Sequence, residues 1–319
     1  MANADQILSL IKSHLEGNDE RFRTLALQIS ATEAKAGHVV LARSIKDLLR
    51  ERNLRLLRPK LSMVKGDLAD LLLEMDANSR LKDLVVSDEI RLKIKRIIKE
   101  YVQRDRLREY NLQNRHKILL FGPSGTGKTM TASVIAHELS MSLYVVRLEK
   151  IVTKFMGETS LKLSKVFDCI RDIPGVYLFD EFDAIGQKRS TEHEVGEMRR
   201  ILNSFLQMME RDTYDSIILA ATNDIEALDN ALFRRFDDIL EYTFPSEDGI
   251  KELIEGKLQK FHFEGNINAL LSELKGKSQA EICMICQDAI KEVLLNDRSM
   301  DLQLMKEVIA SRSYINKVG

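Results

Sequence analysis

The sequence predicts an α/β fold, a parallel sheet covered by helices on both faces, with a helical domain before it and a helical lid after it. Three observations carry that reading. From about residue 81, strand-sized apolar runs alternate with stretches of helical period, the pattern of strands joined by crossover helices. One of those runs leads directly into a glycine-rich loop, Gly122-Pro123-Ser124-Gly125-Thr126-Gly127-Lys128-Thr129, which opens a helix. Before about residue 55 and after Pro245 the helical period stands alone.

Residues 1 to about 55 read as three amphipathic helices. Ile7, Leu8, Ile11 and Leu15 share one face, Phe22, Leu25, Ala26 and Ile29 a second, and Leu41, Ile45, Leu48 and Leu49 a third. Pro59 closes this region, residues 58–66 read as a linker, and a short apolar helix is expected over 67–75. Strands are expected at 117–121, 143–148, 175–180, 216–221 and 239–243, with Pro174 before the third and Pro245 after the last. Near-continuous apolar runs of this length fit strands buried on both faces. The expected division is a helical partner-binding or assembly domain at 1–58, linker and short helix at 59–80, the α/β domain at 81–245, and the lid at 246–319.

Composition removes several functional classes. At about 150 residues per domain, 319 residues suggest two compact units, and 44% apolar content is ample for their cores. Lys and Arg number 48 against 49 Asp and Glu, so the net charge of −1 advertises neither nucleic acid nor an anionic membrane. The longest apolar runs, such as Ile217–Ala221, fall far short of the roughly 20 residues a membrane helix requires. Asp5 and Lys12 interrupt any signal-peptide core, and three cysteines make no disulfide framework. A soluble, cytoplasmic protein with no membrane partner is the expectation.

The loop Gly122–Thr129 fits G-x-x-x-x-G-K-[ST] in full, after a strand and before a helix, the context that the motif requires. Its glycines let backbone N–H groups curl round phosphates, and the helix N-terminus, including Met130, adds its positive end. Lys128 would reach the β and γ phosphates of a nucleotide, and the Thr129 hydroxyl would bind Mg²⁺. A second motif, Val176-Tyr177-Leu178-Phe179-Asp180-Glu181, places two acids at the tip of a buried strand, where ligands bind in open α/β sheets. Asp180 would act on the Mg²⁺ shell, and Glu181 suits a base that polarises attacking water.

These motifs resemble, in order along the chain, those of the AAA+ ATPases and within them the AAA group. The resemblance rests on Gly122–Thr129, on Phe179-Asp-Glu-Phe-Asp-Ala-Ile-Gly186, and on Ala220-Ala-Thr-Asn223 followed by Leu228-Asp-Asn-Ala-Leu-Phe-Arg234-Arg235-Phe236-Asp. It covers roughly residues 81–290, and the direct Arg-Arg-Phe looks more like the katanin and spastin single-ring branch than the double-ring branch. By that resemblance Asn223 is the sensor that orients water and γ-phosphate, and Arg234 and Arg235 are arginine fingers supplied to a neighbouring subunit's ATP. Lys154, Phe155 and Met156, before Gly157-Glu158, fall where the family carries its first pore loop. A flat ring and a flexible thioether can grip varied side chains; helical spacing alone would equally allow Phe155 in a core, but its place before a glycine and inside a polar stretch favours the pore loop. Gln187–Gly196 falls at the second pore loop, or is an ordinary solvated loop.

The family's lid usually reads Ser-Gly-Ala-(Asp/Glu)-Ile, whereas this chain has Ser278-Gln279-Ala280-Glu281-Ile282. The glutamine puts a Cβ where the backbone would approach the nucleotide closely. Cys283-Met-Ile-Cys286 has metal-like spacing but no second pair, and reads as one face of a packed lid helix. Arg91–Lys117 carries ten Lys/Arg against three Asp/Glu and reads as a solvated face; contact with nucleic acid is possible but not indicated, because no aromatic residues interleave for base stacking.

The resemblance implies ATP and Mg²⁺ as cofactors and a homo-oligomeric ring of six subunits. The expected function is ATP hydrolysis coupled to remodelling or unfolding of a protein partner. The alternative is an ATP-driven regulatory switch on an effector enzyme or nucleic-acid machine, without threading.

Overall fold

The computed structural model describes residues 8–10, 12–13, 19–38, 41, 44, 68–151, 156–183, 192–210, 215–226, 228 and 230–318. The chain divides into two compact units, Met1–Lys60 and Leu61–Gly319. In the first, helix α1 (Asp19–Lys35) buries Ala26 and Ile29 of the expected second face, with Phe22 and Leu25 half-buried beside them. Most of the first and third expected helices, and the linker around Pro59, lie outside the described residues.

The second unit is built on one six-stranded sheet in the order β1-β3-β4-β5-β2-β6. The strands are β1 (Leu72–Met75), β2 (Lys117–Phe121), β3 (Leu143–Val146), β4 (Val176–Phe179), β5 (Ile217–Thr222) and β6 (Asp238–Glu241). Every pairing is parallel except β1 with β3, which is antiparallel, with Leu72 opposite Val146 and Met75 opposite Leu143. The short helix expected over 67–75 is therefore only half right. Helix α2 (Leu68–Leu71) stops after one turn, and the chain becomes an edge strand. Leu and Met favour helix intrinsically, but the open edge of β3 offers a ladder of backbone hydrogen bonds, and tertiary context overrides propensity.

The remaining helices are α3 (Asp88–Val102), α4 (Arg104–Glu109), α5 (Lys128–Glu138), α6 (Leu148–Ile151), α7 (Met156–Asp172), α8 (Glu192–Glu210), α9 (Asn230–Phe233), α10 (Glu247–Leu258), α11 (Leu271–Leu274), α12 (Gln279–Asn296) and α13 (Leu302–Val318). Alternation along each strand splits the sheet's side chains between two cores. Ile118, Leu120, Val176, Leu178 and Leu219 pack with residues of α3 and α5. Leu119, Tyr177, Phe179, Ile218 and Ala220 pack with residues of α7 and α8 on the other face. Burial on both faces is why these strands read as unbroken apolar runs.

A third core, built from α10 to α13, makes the lid. Helix α12 starts on a capping box, in which Ser278 Oγ accepts from Glu281 N while Glu281 returns a carboxylate to Ser278 N at 2.8 Å. Arg312 donates from both Nη2 and Nε to Asp288 Oδ2, at 2.5 and 2.6 Å, and ties α13 to α12. Part of the basic stretch pairs within the unit: Arg91 with Glu252, Lys93 and Arg115 with Asp238, and Arg104 and Arg108 with Asp215. Among the described residues, no helix is long and apolar enough to cross a membrane.

Candidate functional site

The C-terminal ends of β2, β4 and β5 lie side by side, so the residues following each strand meet at one edge of the sheet. After β2 comes the glycine loop. Gly122 has φ +140°, and a Cβ there would stand 2.1 Å from the Tyr242 carbonyl oxygen, so only glycine fits where the chain leaving β2 passes the chain leaving its neighbour β6. Gly125, at φ +74°, is roofed by the lid: a Cβ would come within 2.8 Å of Ser278 Oγ and 3.0 Å of Ala280 Cβ. The loop ends at Gly127, which caps α5, leaving that helix's first N–H groups free of helical partners. Thr126 is buried and closes the loop by donating to Pro123 O at 2.8 Å.

Lys128, the first residue of α5, is buried, and its Nζ donates to Gly122 O at 2.7 Å, Pro123 O at 2.8 Å and Asn223 Oδ1 at 2.7 Å. Burial pushes the ammonium below the ordinary lysine range, and the carboxylates of Asp180 and Asp183 oppose that shift. Thr129 Oγ1 donates to Asp180 Oδ2 at 2.9 Å, joining the loop to the tip of β4. The sequence-predicted Lys128, Thr129, Asp180 and Asn223 are thus in direct contact, although they come from three separate segments.

Glu181 follows with φ +51°, a left-handed conformation that costs a non-glycine residue about 1–2 kcal/mol. Its backbone N–H donates to Asp180 Oδ1 at 3.0 Å, and its side chain is exposed. The turn has a structural cause. It lets Phe182 fold straight back into the core, where Phe182 N donates to Ala221 O at 2.8 Å and its ring packs on Phe205. Asp183 continues the turn and accepts from Thr222 Oγ1 at 3.1 Å, fixing β4 to β5 beside the acid pair.

These groups open on a cavity of about 770 Å³. Of the residues singled out in the sequence, Ser124, Gly125, Gly127, Lys128, Thr129, Met130, Asp180, Glu181 and Asn223 line it, whereas Gly122, Pro123 and Thr126 do not. Sequence reasoning missed the opposite wall, made by Leu84 and Val85 before α3 and by Leu253, Lys257 and Cys283 of the lid. It also missed Arg147, just after β3, and Glu149 in α6, which pair at 3.1 Å. None of these belongs to a local motif; only their place in the fold brings them together.

Arg234 and Arg235 stand apart from the cavity. Both are exposed, and Arg235 pairs with Glu210 at the end of α8. They are pushed outward by their neighbours: Phe236 is buried, and Asp237 accepts from His116 N and Lys117 N, each at 2.9 Å. Lys154 and Phe155 lie outside the described residues, and Met156 is the first residue of α7. Of the stretch Gln187–Gly196, expected as a loop, residues 187–191 are likewise outside, but 192–196 form the first turns of α8. The Glu-rich start of that run suits a helix N-terminus, which its polarity concealed.

Cys283 and Cys286 share a face of α12, and burial pushes the Cys286 thiol up to about 12 and raises Cys283 as well. Neither favours the thiolate that a metal requires. Among the described residues, no group of three or more His, Cys, Asp or Glu side chains is placed to hold a metal ion.

Comparison with known proteins points to one family. The family described as "ATPase family associated with various cellular activities (AAA)" matches residues 118–244, from β2 to just past β6. An uncharacterised AAA family ATPase, y4kL of Sinorhizobium fredii, is 32% identical over 304 residues, which is 93% of this chain and 91% of that protein. The proteasome-activating nucleotidases of Sulfurisphaera tokodaii and Saccharolobus solfataricus are each 37% identical, over 191 and 202 residues, or 57% and 60% of this chain. The chain spans about half of those two nucleotidases, 48% and 51% of their lengths. A likeness running along nearly the whole of both chains, joined to a family match over the very sheet that carries the loop and the acids, makes this chain a member of the AAA family of ATPases.

Proposed function

We propose that the cavity at the strand tips binds ATP with Mg²⁺, that Glu181 activates the attacking water, and that hydrolysis drives remodelling or unfolding of a protein partner by a cytoplasmic ring of six copies of this chain. The observation that carries the reading is the convergence of Lys128, Asn223, Thr129, Asp180 and Glu181 on one cavity. Lys128 and the first N–H groups of α5 would hold the phosphates, and Asn223 at the tip of β5 would orient water and the γ-phosphate. Thr129 Oγ1 and Asp180 Oδ2, 2.9 Å apart, are hard oxygen donors with a single carboxylate between them. That set suits Mg²⁺, which keeps waters and phosphate oxygens as its other ligands. When bound, the ion would neutralise charge on the phosphates. Glu181 faces the same cavity from an exposed position and would take the proton of the attacking water.

Arg234 and Arg235 are exposed and do not line their own chain's cavity, which favours their action on a neighbouring subunit's ATP. The relatives named as proteasome-activating nucleotidases favour a protein as the thing acted on. The direct Arg234-Arg235-Phe236 junction keeps the katanin- and spastin-like branch as our placement within the family. Residues 1–58 would select the partner, 81–245 hydrolyse ATP, and 246–319 relay the nucleotide state, with Lys154, Phe155 and Met156 gripping the polypeptide.

Phe155→Ala tests the remodelling. A partner is first captured on Glu181→Gln rings with ATP and identified. Phe155→Ala should then leave ATPase activity largely intact and abolish remodelling of that partner. Remodelling untouched by Phe155→Ala would instead support a regulatory switch without threading.

A further inference from the structure

Gln279 opens the lid helix α12, is 9% exposed, and lines the cavity. Its Nε2 faces two backbone carbonyls, donating to Thr243 O at 3.3 Å and to Val85 O at 3.5 Å. Those carbonyls settle which end of the amide is which: turned over, Oε1 would face two oxygens and both bonds would be lost. Oε1 is therefore the end left over. It is closed off from water and has no hydrogen-bond partner among the described residues. A buried acceptor in that condition is costly, and calls for a donor from elsewhere.

The position of Gln279 says what kind of donor. Ser278 and Ala280, on either side of Gln279, lie against Gly125 of the phosphate loop, and the Gln279 side chain runs from there to Val85 and Thr243, on a cavity wall shared with Leu253, Lys257 and Cys283. That wall is mostly apolar and suits the face of a flat base. It is tied to the phosphate loop, because Ala280 N donates to Gly125 O at 3.0 Å. A base held here would present its polar edge to the start of α12.

We infer that Gln279 selects the base: its Oε1 accepts a hydrogen bond from the exocyclic amino group of adenine while its Nε2 stays tied to Val85 and Thr243. Guanine carries a carbonyl oxygen at the same ring position, and two acceptors facing each other repel. The inference rests on Gly122–Thr129 being the phosphate site, and assigns to one residue the preference for ATP over GTP. Because Oε1 is closed off from water, the amide or the lid must shift slightly to admit the amino group. Adenine binding and the seating of α12 are thereby coupled at Gln279.

Calorimetry on the full chain tests this with ADP, GDP and purine riboside diphosphate, which lacks the 6-amino group. The parental protein should bind ADP about tenfold more tightly than either of the others. Gln279→Leu should bring the three close to equal, mainly by weakening ADP. Lys128→Ala should lose all three, which reports on the phosphate site independently. Purine riboside diphosphate binding the parental chain as tightly as ADP would overturn the inference without any variant having to fold. A Gln279→Leu chain that weakens all three by one common factor would also overturn it, since that marks a lid tie alone. Binding that survives Lys128→Ala would remove the phosphate-site reading, and this inference with it.

Discussion

Lys128 Nζ and Asn223 Oδ1 stand 2.7 Å apart, although β2 with its loop and β5 with its tip are separated by 95 residues of chain. The contact joins the cation that would hold the phosphates to the amide that would orient the attacking water. Both groups would see the same γ-phosphate, so they should fail differently when removed. Lys128→Ala takes away the charge and should abolish nucleotide binding. Asn223→Ala should keep affinity within a few-fold and lower kcat by about 10²-fold, as expected when one oriented donor is lost. Equilibrium binding beside steady-state turnover checks both, and an Asn223→Ala protein with parental kcat would remove Asn223 from the mechanism.

The charge on Lys128 also fixes a pH dependence. Burial holds its ammonium below the usual lysine range, so the free protein loses that proton at a lower pH than an exposed lysine would. Phosphate beside Nζ favours the charged form and raises the pKa on binding. Between the two values the complex holds more protons than the free protein, so affinity falls as pH rises through that window. Nucleotide binding should therefore take up protons at alkaline pH, read by calorimetry in buffers of different ionisation enthalpy. Proton release in that range would reverse the sign and contradict the assignment.

Behind the acid pair, Phe205 meets Phe179 at 5.1 Å, Phe182 at 5.0 Å and Phe167 at 5.4 Å between ring centroids. All four rings are buried, and Phe179 and Phe182 bracket Asp180 and Glu181. Phe205→Ala should cost about 3–5 kcal/mol of stability through the cavity it leaves. It should also reduce turnover in the protein that remains folded, because the turn at Glu181 depends on Phe182 being seated. Denaturant unfolding with parallel kinetics checks this. A destabilised protein with unchanged kcat would mean that the turn holds itself.

Arg234 and Arg235 yield a prediction between chains. Glu181→Gln subunits and Arg234→Ala/Arg235→Ala subunits should each be nearly inactive alone. Mixed under conditions where subunits exchange, they should recover part of the ATPase activity, since some junctions would pair an intact Glu181 with intact arginines. Exchange without recovery would place both arginines in their own chain's chemistry or outside it.

Much of this was legible in the sequence, for a physical reason. Ile118, Leu120, Tyr177, Leu178 and Leu219 are buried because their strands are covered on both faces, and that leaves unbroken apolar runs that can be read directly. The glycine loop and the acid pair were legible because each is a set of consecutive residues. Strand β1 was not: Leu73 and Met75 are exposed at the sheet edge, and Leu71–Met75 are helix formers by composition. The lid side of the cavity was not either. Val85, Leu253 and Cys283 are ordinary apolar residues from three distant segments, and only the docking of the lid assembles them. The outward placement of Arg234 and Arg235 depends on Phe236 and Asp237 anchoring the following turn, a tertiary effect no spacing displays.

If ATP is hydrolysed at the junction of Lys128, Asp180 and Glu181, nucleotide retention and turnover of Glu181→Gln separate binding from chemistry. The variant keeps the side chain's size, the Lys128 contacts and the Thr129–Asp180 bond, and loses only the base. It should bind ATP with parental affinity, hold it uncleaved, and turn over about 10²–10⁴-fold more slowly. A Glu181→Gln protein that hydrolyses ATP at the parental rate would contradict the account.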